Sequence, residues 1–187
     1  MEIGFGGGEN VSESAIRNPR TGIIGSDPFL AGVGKLLSRI SVARIDNIRI
    51  FPGDVRDLLP ALPQACISKL FVLFPDPWPK KRHRKRRLFQ RSFIHSLARI
   101  STPNGEVIVA TDNDAYKRWV LELFLESPFF SWEAKKAEDW RCRPADVVCT
   151  RYENKARREG RHSTFLKFRR NDVIGCFDKE YREIVTA

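Results

Sequence analysis

The chain has 187 residues, enough for one domain around a single sizeable core, and 42% hydrophobic content with thirteen Phe excludes a disordered polymer. A formal net charge of +10 implies an anionic partner, with RNA or DNA the first choice. No apolar run approaches a membrane span and the N-terminus has no signal-peptide pattern. The four cysteines (Cys66, Cys142, Cys149, Cys176) and three histidines show no metal-ligand spacing, so no membrane, no metal and a cytoplasmic location are expected.

The chain opens with Glu2-Ile3-Gly4-Phe5-Gly6-Gly7-Gly8-Glu9. Gly4, Gly6 and Gly8 allow a tight turn and close approach to a ligand, and a helix over 9–18 would direct its first N–H groups there. A plain glycine turn explains the same residues, and Glu9 stands where a dinucleotide loop has its third glycine. Only residues 1–3 precede the loop, so the first strand is expected to be very short or to lack an upstream segment. Residues 21–25 read as a second strand leading to Asp27, placed either to accept ribose hydroxyls or to cap a helix over 29–42, whose helically spaced apolar residues Phe29, Val33, Leu36, Leu37 and Ile40 are expected to form its buried stripe. Residues 48–51 read as a third strand. Asp54, just beyond it, either bonds an adenine amino group or caps a helix over 55–59.

Residues 70–74 (Leu-Phe-Val-Leu-Phe) read as a buried fourth strand that runs into FPDPWPKKRHRKRR at 74–87. Pro75, Pro77 and Pro79 forbid helix and continued strand, so Asp76 and Trp78 are expected on a stiff, extended loop at a strand end. The basic run that follows is Lys or Arg at every position from 80 to 87 except His83. Such a run is often a solvated face or a localisation tag, but attachment to a buried strand favours a grip on a polyanion. A helix is expected over 88–100, a turn at Pro103-Asn104-Gly105, and a fifth strand over 106–111. Asp112 then either caps the next helix or faces a ligand. Residues 129–132 read as a short strand and 135–145 as a loop. Thr150 and Glu153 form a capping box for a helix reaching Gly160, and residues 162–169 read as a last, edge strand. A domain over 1–170 and a tail over 171–187 follow.

Strands alternate with helices through most of the chain before Pro128, which predicts an α/β fold with a mostly parallel central sheet, helices on both faces and ligands at the carboxyl ends of the strands. The glycine loop, Asp27, Asp54, Asp76 and Asp112 all fall at such ends.

The ordered motifs EIGFGGGE (2–9), IGSDPF (24–29), PGD (52–54), FPDPWPKKRHRKRR (74–87), ATDNDAYKRW (110–119) and TRYENKARREGR (150–161) resemble those of the bacterial tRNA (guanine-N7)-methyltransferases, which use S-adenosylmethionine. The resemblance implies a Rossmann-like class I methyltransferase fold and methylation of a guanine in the variable region of tRNA. It implies cofactor contacts from Glu2, Asp27, Asp54 and Asp76, alongside Gly4 and Gly6 of the glycine loop. From the strand-end positions of Asp76 and Asp112, Asp76 is expected to be the catalytic residue that holds the guanine edge near the methyl group, with Asp112 assisting. Lys80, Asp112, Thr150, Arg151, Tyr152 and Glu153 are implied to contact the substrate nucleotide, and Arg82, His83, Arg84, Lys85, Arg86 and Arg87 the RNA. The sequence departs from the family pattern at Asp27, where glutamate is expected, and in having no extension before the glycine loop. A monomer or homodimer is expected. The alternative expectation is a non-catalytic RNA-binding relative with an impaired cofactor site.

Overall fold

In a computed structural model, residues 1–172 are described; most of the expected tail lies outside them. Among the described residues, seven strands form one sheet in the order β3-β2-β1-β4-β5-β7-β6. They are β1 (Glu2–Ile3), β2 (Ile23–Ser26), β3 (Ile48–Phe51), β4 (Ile67–Leu73), β5 (Ser101–Thr111), β6 (Phe130–Trp132) and β7 (Thr164–Arg170). The first five pair in parallel, and β7 runs antiparallel to both β5 and β6. The helices are α1 (Glu9–Arg17), α2 (Leu30–Ala43), α3 (Val55–Leu58), α4 (Arg91–Ile100), α5 (Asp114–Leu125), α6 (Glu138–Arg141) and α7 (Arg151–Arg158).

The continuous apolar runs of β4 and β5 are explained by burial on both faces. Leu70, Val72, Val107 and Val109 join a large cluster with Phe89, Leu97, Tyr116 and Phe124. Their alternating neighbours Phe71, Leu73, Ile108 and Ala110 pack with Phe165 and Val147 on the opposite face. A third cluster joins Phe5, Val11 and Ala15 to Leu36 and Ile48 near the start of the chain.

Four expectations are corrected. The last strand, expected at an edge, lies inside the sheet: β7 pairs with β5 from Glu106↔Arg169 to Thr111↔Thr164, and β6 and β3 are the edges. Its partner choice is a long-range effect; Glu106 meets Lys69, Lys167 and Arg169 at 2.9, 2.6 and 3.3 Å across neighbouring strands. The Pro103-Asn104-Gly105 turn is a bulge within β5, whose pairing jumps from Ile67↔Ser101 to Lys69↔Glu106. The loop expected over 135–145 contains α6. Phe29 and Leu37, expected on the buried stripe of α2, are 55% and 53% exposed, and Leu36 carries the packing of that helix.

At Gly32, α2 crosses the glycine loop so closely that a Cβ would lie 2.2 Å from the Gly6 carbonyl oxygen. Backbone cannot yield there as a flexible side chain would. Gly32→Ala is therefore expected to destabilise the fold by about 1–3 kcal/mol, read as a lower urea midpoint at unchanged slope.

Candidate active site

The loop after β1 holds Gly4, Gly6 and Gly8 at φ of +73°, +56° and +75°, a region that L side chains enter at a cost. Gly4 N–H donates to Ser26 O at 2.7 Å, binding the loop to the end of β2. A Cβ on Gly4 would meet no atom within 4 Å, so this side of the loop borders open space. Asp27, at the end of β2, is 6% exposed, and its two carboxylate oxygens accept from Gly6 N–H (2.6 Å) and Phe29 N–H (2.8 Å). The N-cap position of α2 is Phe29, so Asp27 ties the glycine loop to the entry of α2 rather than capping the helix itself.

Glu2 is buried, and Asn10 Nδ2 donates to its Oε2 at 2.9 Å, while Asn10 Oδ1 accepts from Val148 N–H at 2.9 Å. Nothing in the sequence marked Asn10, because the link runs from α1 to a segment 138 residues away. Burial pushes the Glu2 carboxyl up to about 8 from 4.5 despite the opposing Asn10 hydrogen bond. A carboxyl that keeps its proton in the folded state while the unfolded chain ionises loses stability as pH rises from 4.5 towards 8. Glu2→Gln is therefore expected to abolish that loss. Its melting temperature should match that of the unaltered chain near pH 4.5 and exceed it at pH 8, as measured by thermal unfolding across this range.

Asp54 follows β3 as the N-cap of α3, accepting from Arg56 N–H at 2.9 Å and pairing with the Arg56 guanidinium at 2.5 Å, and this hydrogen bonding holds its carboxyl below the usual range. The capping alternative is thus observed directly. Asp54 also lines a cleft of about 250 Å³ with Gly4, Ser26, Asp76, Trp78 and Arg86. The structure therefore brings Gly4, Asp54 and Asp76 together there, with Gly6, Asp27 and Glu2 behind them as supports of the loop.

The Asp76 loop leaves β4 through Phe74, whose N–H bonds Ala110 O at 2.8 Å. Phe74 and Trp78 both precede proline, yet they adopt φ of +55° and +40°. Two such non-glycine residues store backbone strain at this loop. Arg87 supplies the restraint: its Nε donates to Pro77 O at 2.9 Å and its Nη2 to Trp78 O at 3.4 Å. Its guanidinium lies 5.1 Å from the Trp119 ring centroid and 5.5 Å from that of Tyr116. At 3% exposure Arg87 faces the interior, which corrects its expected RNA contact. Burial lowers its pKa from the ordinary guanidinium value. The rest of the run forms a 3₁₀ turn, Lys81–Arg86, with Lys80 at its N-cap. Lys80, Arg82, Arg84, Lys85 and Arg86 are exposed, His83 is half-buried edge-on to Trp78 at 5.7 Å, and Arg86 stacks over Trp78 at 5.1 Å.

Across the carboxyl end of the sheet, Asp112 pairs with Arg161, while Asn113 rather than Asp112 caps α5. Thr150 Oγ1 caps α7 by accepting from Glu153 N–H at 3.3 Å. Glu153 is buried between Arg143 (3.2 Å) and Arg157 (3.4 Å), so its carboxylate is engaged within the protein. The two residues between Thr150 and Glu153 reach the glycine loop. A Cβ on Gly6 would lie 3.4 Å from the Tyr152 ring and 3.7 Å from Arg151 Nη2. The first turn of α7 thus packs over the same loop that Asp27 fixes. A second cleft, of about 1020 Å³, is lined by Asp112, Glu153, Arg143, Arg157 and Arg161.

Residues 1–166 match the family described as "Putative methyltransferase". Over 170 residues the chain is 51% identical to a tRNA (guanine-N(7)-)-methyltransferase from Rhodospirillum rubrum, covering 91% of this chain and 67% of that protein. Proteins of the same name from Ruegeria pomeroyi and Rhodopseudomonas palustris (strain CGA009) are 48% and 44% identical, again across 91% of the chain, with 71% and 64% of their own lengths covered. The chain belongs to the tRNA (guanine-N(7)-)-methyltransferase family.

The chain spans about two thirds of the length of these relatives. Among solved structures, an rRNA methylase from Streptococcus thermophilus aligns with a TM-score of 0.59 at 14% identity, covering 91% of this chain and 86% of that chain. SMU.1697c from Streptococcus mutans, crystallised with SAH, aligns at 0.58 and 10% identity, with 90% and 87% covered. These likenesses show that the chain has the Rossmann-like class I methyltransferase fold. Among the described residues, no cluster of three His, Cys, Asp or Glu side chains is placed to hold a metal, and no helix is long and apolar enough to cross a membrane.

Proposed function

We propose that this chain transfers a methyl group from S-adenosylmethionine to N7 of a guanine in the variable region of tRNA, and that it works in the cytoplasm as a single domain through residue 170. The observation that carries the reading is the position of Asp76. It lines the smaller cleft with Gly4 and Asp54 and is joined by four residues to an exposed cationic turn.

The residues fit the cofactor. The open side of Gly4 leaves room for close backbone approach, and Asp54 offers a carboxylate held ionised by Arg56. Asp27 and Gly32 fix the shape of the loop. Bound there, S-adenosylmethionine supplies an electrophilic methyl group on a sulfonium centre. Guanine N7 carries a free lone pair at neutral pH, so no residue must first remove a proton. The task of the protein is alignment and electrostatic support. Positive charge moves onto the purine as N7 becomes methylated, and the Asp76 carboxylate at the strand end stabilises it. Lys80 and the exposed arginines at 82, 84 and 86 hold phosphates.

Titration calorimetry with S-adenosylhomocysteine tests the cofactor half of this reading. Saturable binding that weakens at least about tenfold in Asp54→Ala is expected, the cost of removing one charged partner. No binding would overturn it. Binding to the unaltered chain without methyl transfer to tRNA would instead favour a non-catalytic relative.

A further inference from the structure

The larger cleft carries more cationic and aromatic groups than the recognition of one guanine requires. Asp112 is held by Arg161, and Glu153 by Arg143 and Arg157. In these pairs the arginines are the more exposed partners: Arg161 is 42% exposed against 18% for Asp112, and Arg157 70% against 8% for Glu153. At the same cleft the half-buried Trp140 has two cations near its ring, with Lys117 Nζ 5.4 Å and the Arg141 guanidinium 4.8 Å from the ring centroid.

We propose that this cleft is a second RNA-binding surface, distinct from the turn at 81–86. In it Arg141, Arg157 and Arg161 take backbone phosphates flanking the target guanine, and the Trp140–Arg141 pair offers a stacking platform for a neighbouring base. The inference rests on the tRNA reading above. Trp140 also packs against the main core, which accounts for an indole at this place but not for exposed guanidinium groups converging beside it. An aromatic ring among cations is the arrangement that holds a single-stranded segment, the ring meeting a base while the cations meet its phosphates. Phosphate is a strong acceptor for guanidinium and competes with a carboxylate for it. When a phosphate takes Arg161, the Asp112 carboxylate becomes available to accept from the N–H groups on the Watson–Crick edge of guanine. The cleft thereby couples phosphate binding to recognition of the base.

The test is equilibrium binding of unmodified tRNA over a range of KCl concentrations, with S-adenosylhomocysteine binding measured in parallel. In the Arg141→Gln/Arg157→Gln double variant the dissociation constant for tRNA is expected to rise about tenfold near 150 mM KCl. The slope of log K against log salt should shrink by about 2, one for each phosphate no longer neutralised, with cofactor affinity unchanged. The Arg141→Lys/Arg157→Lys variant keeps both charges and is expected to restore the slope. Unaltered tRNA affinity and slope in the glutamine variant would overturn the inference. An unaltered chain that binds no tRNA at any salt concentration would overturn the tRNA reading itself, and this inference with it.

Discussion

Asp76→Ala is expected to lower kcat for tRNA methylation by about 10²–10³-fold, the range associated with losing one electrostatic group aimed at developing charge. The residue is exposed just past the end of β4 and lines the smaller cleft, so truncation removes no packed core. The melting temperature should stay within a few degrees of the unaltered protein, and S-adenosylhomocysteine binding should change far less than turnover. Asp76→Asn preserves shape and one acceptor oxygen but not the charge. Because it is charge that arrives at the purine, the asparagine variant should fall close to the alanine one. Single-turnover methylation with saturating tRNA separates this effect from binding. Unchanged turnover in either variant would remove Asp76 from the chemistry.

Arg87→Ala is expected to destabilise the protein by about 2–4 kcal/mol, the largest effect within the basic run. It removes charge-assisted hydrogen bonds to Pro77 O and Trp78 O and a cation stacked against Trp119 and Tyr116. Freed of that restraint, the strained Trp78 backbone relaxes and Asp76 is no longer held in register, so kcat should fall as well. The salt dependence distinguishes this role from phosphate binding. Arg84→Ala, on the exposed side of the turn, should reduce the salt slope of tRNA binding by about 1 with little change in stability. Arg87→Ala should do the reverse. Urea unfolding and binding titrations on both variants decide the matter.

The contrast between Arg84 and Arg87 shows where the sequence stops being legible. Within eight consecutive residues of nearly one chemical type, no periodicity marks which one turns inward. That is set by the 3₁₀ turn and by aromatic residues on α5, some thirty positions away. The strand ends were legible because they rest on local rules: apolar runs stopped by Gly, Pro and Asp placed the glycine loop, Asp27, Asp54, Asp76 and Asp112 correctly at the carboxyl edge. The insertion of β7 between β5 and β6 was not, since an alternating strand reads alike at an edge or beside it. The packing of Tyr152 and Arg151 over Gly6, and the Asn10 link from Glu2 to Val148, are tertiary contacts with no local signal. The capping box at Thr150 shows a partial success. Its backbone half forms, while the Glu153 carboxylate pairs with two arginines.

The most direct measurement is to incubate the chain with methyl-labelled S-adenosylmethionine and unmodified tRNA, digest the RNA to nucleosides and identify the labelled one. Label in 7-methylguanosine from the variable region, lost in Asp76→Ala, is the predicted result. Label in a different nucleoside, or none from a chain that binds both S-adenosylhomocysteine and tRNA, would contradict the account.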